Sequence, residues 1–234
     1  MRKVVFAGAA CLVAAASSAG AADLVQMPAP SVYNWSGFYV GAQAGYAWGQ
    51  SRGGDYLRSS GVVDAFGDVD PKGFLGGLHT GYNYQFGNNF VLGAEGDVNL
   101  ASLTGSVDPL VRVVGTAPGN WASARMDWNG SARVRAGYAF DRFLPYITAG
   151  VAFGNYKFVP HYSATGDLPG SKTQVGWTIG AGLEYALTQN LTTRIEYRYT
   201  DFGNATYDIA GFPAYETRVN LKTNDVRVGI SYKF

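Results

Sequence analysis

The chain has 234 residues, a formal net charge of +1 and one cysteine. A near-neutral balance offers no electrostatic footprint for nucleic acid, and a lone thiol supports neither a disulfide framework nor a cysteine-based metal site. Charged residues make up 15% of the chain, against about 25% in ordinary soluble domains. Aromatics are also 15%, and 32 residues are glycine, a composition suited to a surface that meets lipid.

Met1, Arg2 and Lys3 are followed by an apolar stretch from Val4 to Ala16 and by small residues that end in an A-x-A pattern, Ala19 to Ala21. That order predicts a secretory signal peptide over residues 1–21, cleaved after Ala21. The apolar stretch is well short of the roughly 20 residues that span a bilayer as a helix. Cys11 leaves with the signal peptide, and Gly8 three positions before it excludes a lipoprotein site. Residues 22–34, with Pro28 and Pro30, are expected to be a short periplasmic leader of no fixed fold. A β-barrel domain is expected over 35–234. Every later apolar run is broken within a few residues, so only a closed barrel could span a membrane.

Eight runs of period two follow. In Gly37 to Gly49, Phe38, Val40, Tyr46 and Trp48 share one face, and Tyr39, Gly41, Gln43 and Gly45 the other. The Gly-x-x-x-Gly spacing at Gly37, Gly41, Gly45 and Gly49 imitates a helix-dimer motif, but on a strand it leaves small residues on the inner face. Phe74, Leu78, Tyr82 and Tyr84 then alternate with Leu75, His79 and Asn83. Phe90, Leu92, Val98 and Leu100 alternate with Glu95, Asp97 and Asn99. Trp128, Val134, Ala136 and Tyr138 alternate with Ser131, Arg133 and Arg135. The fifth run, Pro145 to Tyr156, is the weakest, with Ile147, Val151 and Phe153 on its apolar face. The sixth sets Val175, Trp177, Ile179 and Leu183 against Thr178 and Glu184. The seventh sets Ile195, Tyr197 and Tyr199 against Arg194, Glu196 and Arg198. The last sets Val226, Val228, Ile230, Tyr232 and Phe234 against Arg227, Ser231 and Lys233. Each has about the length of a tilted membrane strand. The connections alternate: tight turns at Gly87–Asn89, Asp141–Leu144 and Thr188–Asn190, and long polar segments near 50–72, 101–125, 157–173 and 201–223. The expected fold is all-β, an eight-stranded antiparallel transmembrane barrel with short periplasmic turns and four long extracellular loops.

A soluble barrel has the same alternation with its faces swapped. Three features favour lipid. Aromatics gather at strand ends, with Phe38, Tyr84, Phe86, Phe90, Phe140, Tyr146, Tyr185, Tyr232 and Phe234 toward the periplasm. Trp48, Phe74, Trp128, Phe153, Trp177 and Tyr199 lie toward the outside. The polar face mixes small residues with Glu and Arg, as a narrow packed interior does. The chain stops on an outward aromatic, and Tyr232 with Phe234 is expected to form the outer-membrane insertion signal.

The inward charges are the candidate site. Counted from the periplasmic ends, Glu95 is level with Arg135 and Asp97 with Arg133. Glu184 is level with Arg194, and Arg198 and Arg227 flank Glu196. Buried charges need partners, so these nine residues are expected to form an ion-pair network that fills the lumen. A charged eyelet for solute passage is the rival reading. His79 and His161 lack further ligands at metal-binding spacing, Glu95 and Asp97 face arginines rather than an acid/base partner, and no cofactor, metal or catalytic set is expected.

Asn34-Trp35-Ser36-Gly37-Phe38-Tyr39-Val40-Gly41, Trp128 to Tyr138, Val175-Gly176-Trp177 through Tyr185, Arg194 to Tyr199 and Val226 to Phe234 together resemble the small outer-membrane immunogenic proteins of alphaproteobacteria, the RopB-type relatives of the OmpA barrel. The resemblance covers the mature chain outside the long loops. It implies envelope maintenance, surface exposure as an antigen, a setting of outer-membrane lipid and lipopolysaccharide, and assembly by periplasmic chaperones and the insertion machinery, with no catalytic residues. Loop aromatics Tyr56, Phe66, Tyr162, Phe212 and Tyr215 leave room for a host or surface ligand.

Overall fold

A computed structural model describes residues 32–61, 63–107, 110–112, 116–117, 121–162, 166–167, 170–208 and 214–234. The expected signal peptide, its cleavage site at Ala19 and Ala21, Cys11 and leader residues 22–31 lie outside the described residues, as does Phe212. The strands in chain order are β1 (Gly37–Leu57), β2 (Val63–Val69), β3 (Lys72–Gln85), β4 (Phe90–Val107), β5 (Leu110–Arg112), β6 (Thr116–Ala117), β7 (Trp121–Tyr138), β8 (Phe143–Tyr162), β9 (Gly166–Asp167), β10 (Gly170–Ala186), β11 (Leu191–Asp208) and β12 (Tyr215–Lys233). β2 continues β3 in the same register against β1, with Asp70-Pro71 between them. Proline has no N–H to give a ladder, but the Pro71 carbonyl accepts from the Gly49 amide at 2.8 Å. β5, β6 and β9 are short pieces at the loops.

The remaining strands pair antiparallel in sequence order. β12 closes onto β1 from Tyr39↔Lys233 to Leu57↔Tyr215. The wall is an eight-stranded closed barrel. Its stagger can be followed rung by rung: from Ala47 through Asp225, Arg198, Gly180, Thr148, Arg135, Gly93 and Asn83, the ladder returns to β1 at Gly37, ten residues from its start. A stagger of that size over eight strands requires a strand tilt of about 35–45°. The turns at the lower end are tight, and Asn89 and Asp141 adopt the left-handed conformation there (φ 65° and 52°), which Asn and Asp tolerate.

The facing follows the alternation in every run. Phe74, Leu78, Leu100, Val134, Ile147, Val175 and Val228 project outward, while Gln43, His79, Glu95, Arg133, Arg135, Glu184 and Arg194 are buried inside. Outer-face rings pair at both ends of the band. Phe38–Tyr82, Tyr84–Phe86, Tyr138–Phe140 and Tyr232–Phe234 lie below, and Tyr46–Phe74, Trp128–Phe153 and Trp177–Tyr199 above. From Phe38 to Trp48, strand rise and tilt give a band of about 25 Å, the height of an outer-membrane barrel's apolar zone. Tyr146 is the exception among the expected ring residues. It is 4% exposed and points into the lumen, because its strand neighbour Ile147 takes the lipid side.

The expected long loops are largely strand. β1, β4, β7, β8, β10, β11 and β12 run well past the upper aromatic ring, so much of 50–72, 101–125, 157–173 and 201–223 extends the wall into the extracellular space. The polarity reverses there. Val69, Leu103, Ala124, Met126, Phe202, Val219 and Leu221 face inward, and Thr104, Ser106, Arg125, Asn204 and Arg218 outward. On β12 the apolar side switches between Leu221 and Val226 with no break in its register against β1. The cause is the solvent: lipid draws apolar groups out, whereas water drives them in. Register shifts at Asp55/Tyr56, Leu100/Leu103, Met126/Trp128 and Asp201/Asn204 gather in this upper part, as bulges do at barrel rims.

Facing can be measured directly. Val134→Arg places an unpaired charge among lipid chains and should cost about 2–4 kcal/mol. Ser106→Lys, outward but above the lipid, should stay within about 0.5 kcal/mol. Urea titration of the protein in lipid vesicles, followed by gel mobility, checks both. Equal losses at the two positions would mean that the lipid boundary is misplaced.

Candidate functional site

The barrel interior has three layers. At the periplasmic mouth, Tyr33 and Trp35 pack edge to face at 4.7 Å against Val91, Ala139, Leu144 and Ala186. The Tyr33 amide donates to the Asp141 carboxylate at 2.9 Å, the Trp35 amide to Gln85 at 2.8 Å and the Trp35 indole N–H to the Asp141 carbonyl at 2.9 Å. Lys233 sits over the Tyr33 ring at 4.6 Å. Burial pushes the Tyr33 hydroxyl up to about 12. A leader without fixed fold is therefore not what Val32 to Asn34 show: the end of that segment is stitched into the mouth. The sequence signal was two aromatics at period two ahead of the first strand.

The middle layer is ionic. Glu95, Asp97, Glu184, Glu196 and Asp225 face Arg133, Arg135, Arg194, Arg198 and Arg227, and all ten are buried. Five negative groups meet five positive ones. Glu95 is the hub: Arg133 and Arg194 both bind it, Tyr39 donates to it at 2.7 Å and Arg135 lies at 3.8 Å. Arg133 also reaches Glu196 at 2.6 Å, Arg135 binds Glu184 at 2.7 Å, and Arg198 bridges Asp97 at 3.2 Å and Glu196 at 2.9 Å. Arg227 takes Asp97 at 3.2 Å and its own strand's Asp225.

Neutral groups complete the layer. Tyr146 donates to Glu196 at 2.9 Å and stacks under Arg135 at 4.1 Å. Gln43 accepts from Arg194 at 2.6 Å and donates to Asn99 at 2.7 Å. Glycines on the wall make room for the rings. A Cβ at Gly182 would lie 2.6 Å from the Tyr146 hydroxyl, and one at Gly81 would lie 2.4 Å from that of Tyr39.

All nine charged residues singled out from the sequence lie in this layer, but the partners differ. Arg133 meets Glu95 and Glu196 before Asp97, which is 3.5 Å away. Glu184 and Arg194 are opposite in register, yet each reaches across to another strand. Glu196 is opposite Arg227, which turns to Asp97 and Asp225 instead. Side chains pointing at the axis of a narrow barrel meet residues from several strands, and the stagger decides which. Asp225 was missed because it falls just before the apolar start of its run. Tyr39, Tyr146 and Gln43 carry no charge that alternation would flag. His79 hydrogen-bonds Ser231 at 2.8 Å in the lumen, while His161 stacks on Trp121 at 5.0 Å among the extracellular extensions. Among the described residues, no group of three or more potential ligands is arranged for a metal.

The third layer is the apolar core of the extracellular extension, where Leu75, Leu103, Met126, Tyr156, Phe202, Val219 and Leu221 fill the upper lumen. Of the loop aromatics, Tyr56 lies under the Arg218 guanidinium at 4.8 Å. The side chains of Phe66, Tyr162 and Tyr215 lie outside the described residues.

A closed barrel with an apolar belt between two aromatic rings, and with no free backbone edge for lipid to satisfy, defines an integral outer-membrane protein. The chain belongs to the outer membrane protein beta-barrel domain family, whose model matches residues 7–234. It is 36% identical to the 31 kDa outer-membrane immunogenic protein of Brucella melitensis, covering 100% of both chains. It is also 36% identical to the 25 kDa outer-membrane immunogenic protein of Brucella abortus over 96% of this chain and 95% of that one. The 22 kDa outer membrane protein of Rhizobium leguminosarum is 34% identical over 89% and 82%. Among solved structures, the outer membrane protein OprG of Pseudomonas aeruginosa superposes with a TM-score of 0.54 at 17% identity, covering 86% of this chain and 98% of that one. The outer membrane protease OmpT of Escherichia coli has the same score and coverage at 8% identity. Both share the fold alone.

The pairing predicts which double variant recovers stability. Arg133→Met leaves Glu95 and Glu196 short of a partner and should cost about 3–5 kcal/mol. Adding Glu95→Gln should return part of that loss, and more of it than Asp97→Asn does. Vesicle folding titrations of the three variants decide this, and a better rescue by Asp97→Asn would refute the hub assignment.

Proposed function

We propose that this protein is a structural, non-catalytic element of the outer membrane whose lumen is sealed and whose extracellular extensions form an antigenic surface. The observation that carries the proposal is the layering: a balanced ionic layer lies between an aromatic cap at the periplasmic mouth and an apolar core above. Water and ions crossing the barrel would have to displace both apolar layers and break paired charges. A narrow solute pore would instead need a continuous polar path. The buried carboxylates are each held by arginine, which leaves none poised as an acid or base. Ligand capture by the extracellular extensions is the secondary role.

The test is planar-bilayer recording of the purified, folded protein. No steady conductance is expected, and a large stable open channel would reject the sealed lumen.

Delivery by periplasmic chaperones and insertion by the outer-membrane machinery complete the proposal. Tyr232 and Phe234 stand edge to face at 5.2 Å on the outer face of the closing strand, where an assembly factor could read them before β12 zips to β1. Replacing both by Asn should lower the amount of heat-modifiable protein in the outer membrane several-fold. Unchanged yield would remove that role.

A further inference from the structure

Above the outer aromatic ring, Arg125 on β7 and Lys157 on β8 stand directly opposite each other in register. Like charges in that position repel and weaken a strand pair, and here both project outward from the wall. Their side chains are 63% and 44% exposed. Among the described residues the one local carboxylate is Asp127, which the bulge between Met126 and Trp128 drops out of the ladder. Asp127 accepts from Lys157 at 2.7 Å and from the Arg125 Nε–H. The Lys157 hydrogen bond, ahead of that from Arg125, holds the Asp127 carboxyl below its ordinary range. Two cations share one anion, so the cluster keeps a net positive charge with guanidinium donors to spare.

Directly beneath, Trp128 and Phe153 pack at 6.2 Å on the same two strands. Aromatics of this kind sit at the head-group level of a bilayer. The cations therefore stand where the phosphates of outer-leaflet lipids lie, over a ring pair that faces the chains of the same molecules.

We propose that Arg125 and Lys157 form a binding site for the phosphorylated head group of an outer-leaflet lipid, with Trp128 and Phe153 packing against its glycan or acyl base. A bound phosphate supplies the second anion that the opposed cations lack, and a guanidinium fork matches its geometry. Asp127 acts as an internal stand-in that holds the two side chains upright and competes with the ligand. The site rests on the outer-membrane placement and not on the sealed lumen, so conductance and lipid binding can fail separately.

The experiment is native mass spectrometry of the folded protein released from neutral detergent. The probes are diphosphorylated lipid A, the same lipid with both phosphates removed, and inorganic phosphate. Folding of each variant is checked by heat-modified gel mobility. Diphosphorylated lipid A should remain bound, and the dephosphorylated form should bind about tenfold more weakly or less, as expected for losing two charge contacts at a membrane surface. Arg125→Gln with Lys157→Gln should produce the same loss. Asp127→Asn should tighten binding, because it removes the competing carboxylate. A purely structural cluster would behave otherwise, with Asp127→Asn leaving lipid binding unchanged or weaker, and that result overturns the proposal. So does undiminished lipid A binding by the double variant. Displacement of lipid A by equimolar inorganic phosphate would assign the site to a free anion and reject the lipid.

Discussion

Lipid offers no hydrogen bonds to a peptide backbone, and this constraint shapes the molecule. The strands cannot leave an edge within the bilayer, so β12 must return to β1, and eight strands can close only with a fixed tilt and stagger. Closure at this strand number leaves an interior about wide enough for side chains and little else. What fills that interior then becomes the chemical question, because the outer face is committed to lipid.

The filling is ionic where the wall lies in lipid and apolar where it lies in water. In the membrane, apolar side chains are drawn out to the lipid, so the inward positions are free to carry charge. Charges there are tolerable only when matched and hydrogen-bonded. The five carboxylates and five arginines meet that condition through shared partners, with Glu95, Asp97 and Glu196 each serving more than one guanidinium. Above the lipid the same wall meets water, and the ordinary preference for an apolar inside returns. The ionic layer ends up enclosed by apolar groups above and by Tyr33 and Trp35 below.

This enclosure links the fold to the proposed role. A polar interior open at both ends would be an aqueous path, whereas the layered one supports the reading of a sealed lumen. The exposed chemistry is displaced to the outer rim, where bulges at the lipid boundary turn side chains such as Asp127 away from the ladder.

Much of this was legible in the amino-acid order alone. Period-two alternation sorted the residues onto two faces, since a strand has only two sides, and the aromatic ends showed which face meets lipid. Nine of the ten charges of the lumen could be named for the same reason, as could membership of the family. Partner choice was not legible. It depends on a ten-residue stagger around the closed wall and on side chains that meet near an axis, neither of which is a local property. That is why Arg133 belongs first to Glu95, and why Arg227, opposite Glu196 in register, turns to Asp97 and Asp225. The extension beyond the membrane was also hidden, because the apolar face changes sides at the water boundary and reads as an irregular polar loop. Local alternation is written into the chain. The pairing, the enclosure and the cap by Tyr33 and Trp35 exist only once the barrel has closed and brought distant strands to one axis.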